Sequence, residues 1–243
     1  MPTKVVKVYY IKRKRKLMRN FEERIDLLKD LLENKYDNAD IEEIINQMKV
    51  EFEKILPEIP YIGGQKNPMT ILLIGGMYDL AIFRILEKKG LSFREIGQLY
   101  YEFSEKRLNI RKKSMKKIGK DPSHYPFEPE YTDMTRKMSE QSQKRQYADD
   151  WIMDFMEGDG KSFEWGFNFH QCGIYNVYKR LGAEKFVPFI CLSDFSEANI
   201  LGFGFTRTQT LGCGDQICDH RYVKNYKTPR AWPPDNIEEF KID

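Results

Sequence analysis

One segment constrains the fold of this chain more than any other: "MTILLIGGMYDLAIFRILEKKG", Met69 to Gly90. It is apolar over most of its circumference, so a helix built from it must be covered on several sides. Gly90 is suited to closing such a helix at its C-terminus. Its most apolar part, "MTILLIGGMYDLAIF", is too short for a membrane span and carries Gly75, Gly76 and Asp79. The chain is therefore expected to build a central helix with other elements packed around it. At 243 residues it is long enough to bury a core of that kind.

The flanking segments supply the covering surfaces. Leu17, Phe21, Ile25, Leu28 and Leu32 recur at helical spacing, and Ile41, Ile44, Ile45, Met48 and Phe52 form a second stripe that ends near Pro57. "PEIPYIGGQKNP" reads as a loop. Ser92 and Glu95 form a capping box that opens a further helix, expected to run to about Phe103. The run from Lys106 to Lys120 is strongly basic. The charged residues nearly balance, at a net +3, so this run reads as a solvated face, and no nucleic-acid partner is indicated. "DPSHYPFEPEY" is an irregular connector, and Thr132 to Tyr147 is polar with little apolar stripe.

The texture changes near Asp149. "DWIMDFMEGDGKSFEWGFNF" alternates apolar and polar residues around a Gly-Asp-Gly turn, a hairpin signal. "QCGIYNVYKRLG" reads as a short helix stopped by Gly182, and "EKFVPFICLSD" leads toward another helix, with Cys191 and Asp194 at the end of one element. "LGFGFTRTQT" and "ICDHRYVK" read as strands joined by "LGCGDQ". The expected fold class is α+β: a helical region over residues 1–148 and a mostly antiparallel sheet with helices over residues 149–243, in one compact domain.

The chemistry-bearing residues concentrate in this second region. All four cysteines lie there: Cys172, Cys191, Cys213 and Cys218. "MPTKVVKVYYIKRKRK" has basic residues but no apolar segment of a secretory signal. A cytoplasmic protein is expected, neither membrane-bound nor disulfide-stabilised, with a homo-oligomeric state left open. Cys213 and Cys218 are not spaced as a zinc knuckle, so zinc, with His170 as a further donor, stays an alternative to having no cofactor. "GFGF" suits close backbone approach rather than phosphate binding, and "GCGD" a turn with positive φ. On a regular strand Cys218 and His220 share one face and Asp219 and Arg221 the other, a charge-paired set. Arg207 and Thr210 differ in parity, which a bulge would reconcile.

These residues also carry a resemblance. "PYIGGQKNP", "LLIGGMYDLAIFRILEKKGLSFREIGQL", "DGKSFEWGFNFHQCGIYNVYKRLGAEKFVPFICLSD" and "FTRTQTLGCGDQICDHRY" together resemble the L-2-amino-thiazoline-4-carboxylic acid hydrolase family over roughly residues 20 to 225. The most specific part is Arg207-Thr208-x-Thr210 followed by Gly214 and Cys218-Asp219. His220 stands where the family suggests phenylalanine, and Cys213 is atypical. The end of the chain is more faintly similar to the vinyl-reductase-like small-molecule-binding domain. Where that domain can hold zinc through a Glu-x-x-Cys-x7-Cys pattern, this chain has Arg207, Thr210 and Cys218. That exchange favours a polar or anionic small molecule over a metal.

The resemblance implies a hydrolase that opens a cyclic isothiourea to N-carbamoyl-cysteine. Attack at the amidine carbon gives a tetrahedral adduct, and sulfur departs. Asp194 suits the amidinium, and Arg207 suits the substrate carboxylate through its planar fork. Cys191, Cys172 or Cys218 can attack as thiolate, or a water can attack with the thiols as packing. Thr210 can donate to developing charge, His170 and His220 can carry protons, and Asn168 and Thr208 complete the expected contacts. Arg207, Thr210, Cys191, Asp194 and Cys218 are expected to converge on one pocket near Gly75 and Tyr78. The rival reading is a ligand-binding or sensor domain with the same pocket and no turnover.

Overall fold

The computed structural model describes residues 4–230 together with Trp232 and Pro234. Helices α1 (Lys4–Ile11), α2 (Lys14–Ile25) and the short α3 (Lys29–Leu32) lead to α4 (Asn38–Ile55), α5 (Met69–Lys88), α6 (Phe93–Lys117) and α7 (Pro129–Ser142). Strands β1 (Ile152–Glu157) and β2 (Trp165–Gln171) follow, then α8 (Gly173–Arg180), α9 (Val187–Leu201), β3 (Phe205–Thr206) and β4 (Cys218–Tyr222). The class is α+β, with helices in the N-terminal half and the sheet in the C-terminal half.

Helix α5 is central, as its composition requires. Leu73, Met77, Leu80, Phe83 and Leu86 are fully buried. Phe21 of α2 and Phe52 of α4 meet Tyr78 with ring centroids 5.1 and 4.7 Å away, so both predicted stripes close on α5. Each large side chain buried this way contributes roughly 1.5–3 kcal/mol. At 20 residues α5 does have the length and hydropathy of a membrane span, contrary to the length expectation, but most of it is buried inside the protein. Its first turns differ: Ile71 and Leu72 are exposed, so the covering is incomplete at this end.

One helix exceeds its expected extent, and a stretch given no element on sequence grounds is helical. The capping box of Ser92 and Glu95 is present, yet α6 continues well past Phe103 to Lys117. Its second half is made of good helix formers, and no breaker occurs before Gly119. The polar stretch from Thr132 is also helical, within α7. Its hydroxyls explain the weak apolar stripe. Ser139 Oγ donates to Met153 O (2.9 Å) and accepts from Phe155 N (2.9 Å), and Ser142 Oγ accepts from Met153 N (3.0 Å). Serines of α7 therefore satisfy the outer backbone of β1, which would otherwise be an open sheet edge.

The sheet has the order β1-β2-β4-β3 and is antiparallel throughout. Phe155, Trp165 and Tyr222 stack across β1, β2 and β4 with centroids 5.6 and 4.2 Å apart, a cross-strand ladder that fixes register. Strand β3 is only two residues long. The chain approaches β4 closely at Gly204, where an added Cβ would lie 1.9 Å from Val223 O. Beyond Thr206 it leaves the ladder, because the Asp219 carboxylate takes the amides of Thr208 (2.8 Å) and Gln209 (2.6 Å). No bulge is needed to bring Arg207 and Thr210 to one side.

Candidate functional site

The helices and the inner face of the sheet enclose a cavity of about 1270 Å³. Its walls come from α5 (Gly75, Gly76, Asp79), α6 (Tyr100, Arg107), α9 (Cys191, Asp194, Glu197) and the sheet (Phe167, Arg207, His220). Helix α9 places its contribution by periodicity. Cys191, Asp194 and Glu197 are three residues apart and share a face, while Leu192, Phe195 and Ala198 are buried behind them. Cys191 and Asp194 thus lie within a helix, not at the end of an element.

Asp194 is the centre of the polar cluster. Its Oδ2 accepts from Arg207 Nη1 at 2.7 Å and lies 3.3 Å from His220 Nε2. Oδ1 has no hydrogen-bond partner among the described residues, and 40% of the side chain remains open although the residue lies deep in the protein. That opening is toward the cavity. Burial pushes the Asp194 carboxyl up, but the His220 hydrogen bond and the Arg207 charge outweigh it and hold it below the ordinary carboxylate range. Asp194 is therefore ionised at neutral pH. Burial lowers the pKa of His220 despite the opposing pull of Asp194, which keeps the imidazole neutral at pH 7. The ring is stacked on Phe167 at 4.5 Å between centroids.

Arg207 is committed to the protein. Its side chain is 1% exposed, with Nη1 on Asp194 and Nη2 on the Cys191 carbonyl at 3.0 Å. The fork assigned to a substrate carboxylate on sequence grounds instead fixes Asp194. Thr210 is fully buried and lies behind the thiols. Its Oγ1 is 3.5 Å from Cys191 Sγ and 3.4 Å from Cys218 Sγ, and Leu211 N donates to Cys218 Sγ at 3.2 Å. Thr210 positions sulfur and does not reach the cavity, so it cannot meet developing charge directly. The loop that follows presses on the same thiol: a Cβ on Gly212 would lie 2.9 Å from Cys191 Sγ. Gly214 closes that loop at φ 97°, the positive φ its sequence suggests.

The cavity thiols are poor nucleophiles in this environment. Cys172, Cys191 and Cys218 are free thiols. Burial pushes Cys172 up to about 12 even though it caps the N-terminus of α8, raises Cys191 well above the ordinary thiol value, and raises Cys218 past what the Thr210 and Leu211 donors restore. All three are protonated at neutral pH.

Three expected site residues lie elsewhere. Phe167 and Phe169 face the cavity, so strand parity turns Asn168 and His170 to the opposite face of β2. There His170 Nε2 meets Asp154 Oδ2 at 2.7 Å, and Asn168 lies against Met156. Thr208 is exposed and donates to Asp219 at 2.7 Å. Asp219 and Arg221 do share an outer face, but Arg221 donates to the Phe167 and His220 carbonyls, not to Asp219. Among the described residues no group of three or more His, Cys, Asp or Glu side chains is placed to hold a metal ion, so the zinc alternative has no donor set there.

Sequence reasoning missed a second set of polar residues in the same cavity. Arg24 Nε donates to Asp79 Oδ1 (3.1 Å), and Tyr100 OH donates to Asp79 Oδ2 (2.9 Å). Glu197 accepts from Arg111 and from Tyr125 OH, each at 2.6 Å. The signal that could have found the α6 members is their spacing: Tyr100, Ser104, Arg107 and Arg111 fall on one helical face, the last two inside a run otherwise read as solvated.

A family model described as L-2-amino-thiazoline-4-carboxylic acid hydrolase matches residues 73–222, from within α5 to the end of β4. No curated protein and no solved structure matches the chain.

Proposed function

The chain belongs to the L-2-amino-thiazoline-4-carboxylic acid hydrolase family, and from that premise we propose that it hydrolyses a small cyclic amidine or isothiourea bearing an acid group, with Asp194 holding the amidinium. The observation that carries this reading is an ionised carboxylate deep in the protein, fixed through Oδ2 by Arg207 and His220, with its other oxygen facing the cavity. A cationic amidine is the chemical complement of that group.

Water is the attacking group in this proposal. It adds to the amidine carbon and gives a proton to the neutral imidazole of His220. The adduct then expels sulfur as the C–S bond breaks and the C=O bond forms, the imidazolium returns its proton to that sulfur, and the hydroxyl proton of the adduct, which balances the charge the amidinium brought, leaves to water. The high thiol pKa values support this route over thiolate attack. Retained free thiols suit a reducing compartment, and a cytoplasmic location is part of the proposal. Conversion of L-2-amino-thiazoline-4-carboxylate to N-carbamoyl-cysteine, followed by the thiol that ring opening frees, tests it. Binding without any thiol release would instead support the ligand-binding reading.

The two routes differ in pH dependence. His220 has its pKa below 6.5, so kcat should fall only in acid, as the imidazole gains a proton, and should be level from about pH 7 to 9. A thiolate with a raised pKa would make kcat climb tenfold per pH unit across that interval. A steady climb would therefore contradict water attack. Removing the thiols is the companion test: Cys191→Ala and Cys218→Ala should each keep kcat within about tenfold of the parent, whereas loss of a nucleophile costs on the order of 10⁴-fold or more.

A further inference from the structure

Three arginines of the cavity are matched by carboxylates. Arg24 is matched by Asp79, Arg207 by Asp194 and Arg111 by Glu197. Arg107 also lines the cavity, but it makes no hydrogen bond or ion pair with any described residue; its guanidinium lies 5.4 Å from the Phe103 ring. Both neighbouring carboxylates are occupied. Asp79 is engaged by Arg24 and Tyr100, and Glu197 by Arg111 and Tyr125. Burial and the nearby Arg24 charge push the Arg107 pKa down, yet a guanidinium stays cationic at neutral pH. A cation held in such a place calls for an anion.

A hydroxyl stands beside it. Ser104 is one turn earlier on the same face of α6, and its Oγ is buried without a hydrogen-bond partner among the described residues. Helices α6 and α9 lie side by side, joined by Phe93 against Phe189 (4.3 Å between centroids) and by Arg111 on Glu197. The Ser104–Arg107 face of α6 and the Asp194–Glu197 face of α9 therefore border one space.

We propose that Arg107, with Ser104 beside it, receives the acid group of the substrate, so that the cavity selects molecules with a carboxylate at one end and an amidinium, held by Asp194, at the other. The inference rests on the reading of Asp194 given above. It gives Arg107 the role that residue type alone gives to Arg207, and the planar fork supplies the bidentate geometry a carboxylate prefers.

Calorimetric titration of L-2-amino-thiazoline-4-carboxylate and of its uncharged 4-carboxamide tests the assignment, using the full chain, Arg107→Met and Arg107→Lys. Thermal unfolding of each variant checks that the fold is retained. The parent should prefer the carboxylate by about tenfold or more. Arg107→Met should remove that preference by weakening the carboxylate about tenfold while leaving the carboxamide within about twofold, and Arg107→Lys should recover part of it. Equal weakening of both compounds, or no weakening, would overturn the assignment. Parent protein that binds with this Arg107 dependence but releases no thiol would sink the hydrolase reading and leave Arg107 in place. Turnover with an unchanged KM in Arg107→Met would sink Arg107 alone, and no binding to the parent would sink both.

Discussion

Asp194→Asn should yield a folded protein whose kcat is lower by about 10²- to 10⁴-fold. The substitution keeps an oxygen to accept from Arg207 Nη1, now 2.7 Å from Oδ2, so the α9 wall has little reason to move. What disappears is the negative charge. The amidinium loses its counter-ion, and the imidazole of His220, 3.3 Å away, loses the group that stabilises it when protonated. Because His220 is neutral at rest, that stabilisation matters mainly as the proton is transferred, so the loss should fall on kcat as well as on KM. Steady-state kinetics with a thermal-unfolding control reads the result. A variant that retains more than about a tenth of the parent kcat would remove Asp194 from the chemistry.

The largest effect on stability should come from the opposite wall. Asp79 is 3% exposed and is bonded to both Arg24 and Tyr100. Asp79→Ala would leave the Arg24 guanidinium, itself 11% exposed, without its carboxylate inside the protein. Breaking one side of a buried pair costs about 3–5 kcal/mol, because the remaining charge is neither hydrated nor compensated. Tyr100→Phe removes a single hydrogen bond to the same carboxylate and should cost only about 1–2 kcal/mol. Urea unfolding of the two variants measures the contrast. Equal, small losses would mean that water reaches Arg24 and that this end of the cavity is open.

Periodicity made much of the fold legible. The α2 and α4 stripes, the capping box of α6 and the hairpin all rest on local spacing, which sequence displays directly. The misreadings came from residues whose surroundings are set by distant chain segments. Arg107 belongs to a basic run whose Lys113, Lys116 and Lys117 do face solvent, and only the arrival of α9 makes one side of α6 an interior. Serines of α7 look like surface residues until the edge of β1 is placed against them. Within the site, convergence of Cys191, Asp194, Arg207 and Cys218 followed from the cost of burying unpaired charge. Their roles did not: Arg207 and Thr210 have the chemistry to meet a substrate but are already engaged inside the wall. His170 and Asn168 were placed by residue type, where strand parity relative to Phe167 and Phe169 would have turned them outward.

A crystal structure with a slowly hydrolysed analogue tests the central claim most directly. 2-Amino-imidazoline-4-carboxylate keeps the cyclic amidine and the acid, and replaces the departing sulfur by nitrogen, a much poorer leaving group. The predicted complex has the amidine N–H groups within hydrogen-bond distance of Asp194, beside His220, and the carboxylate on Arg107. An analogue bound with its amidine away from Asp194, or joined covalently to Cys191 or Cys218, would contradict it.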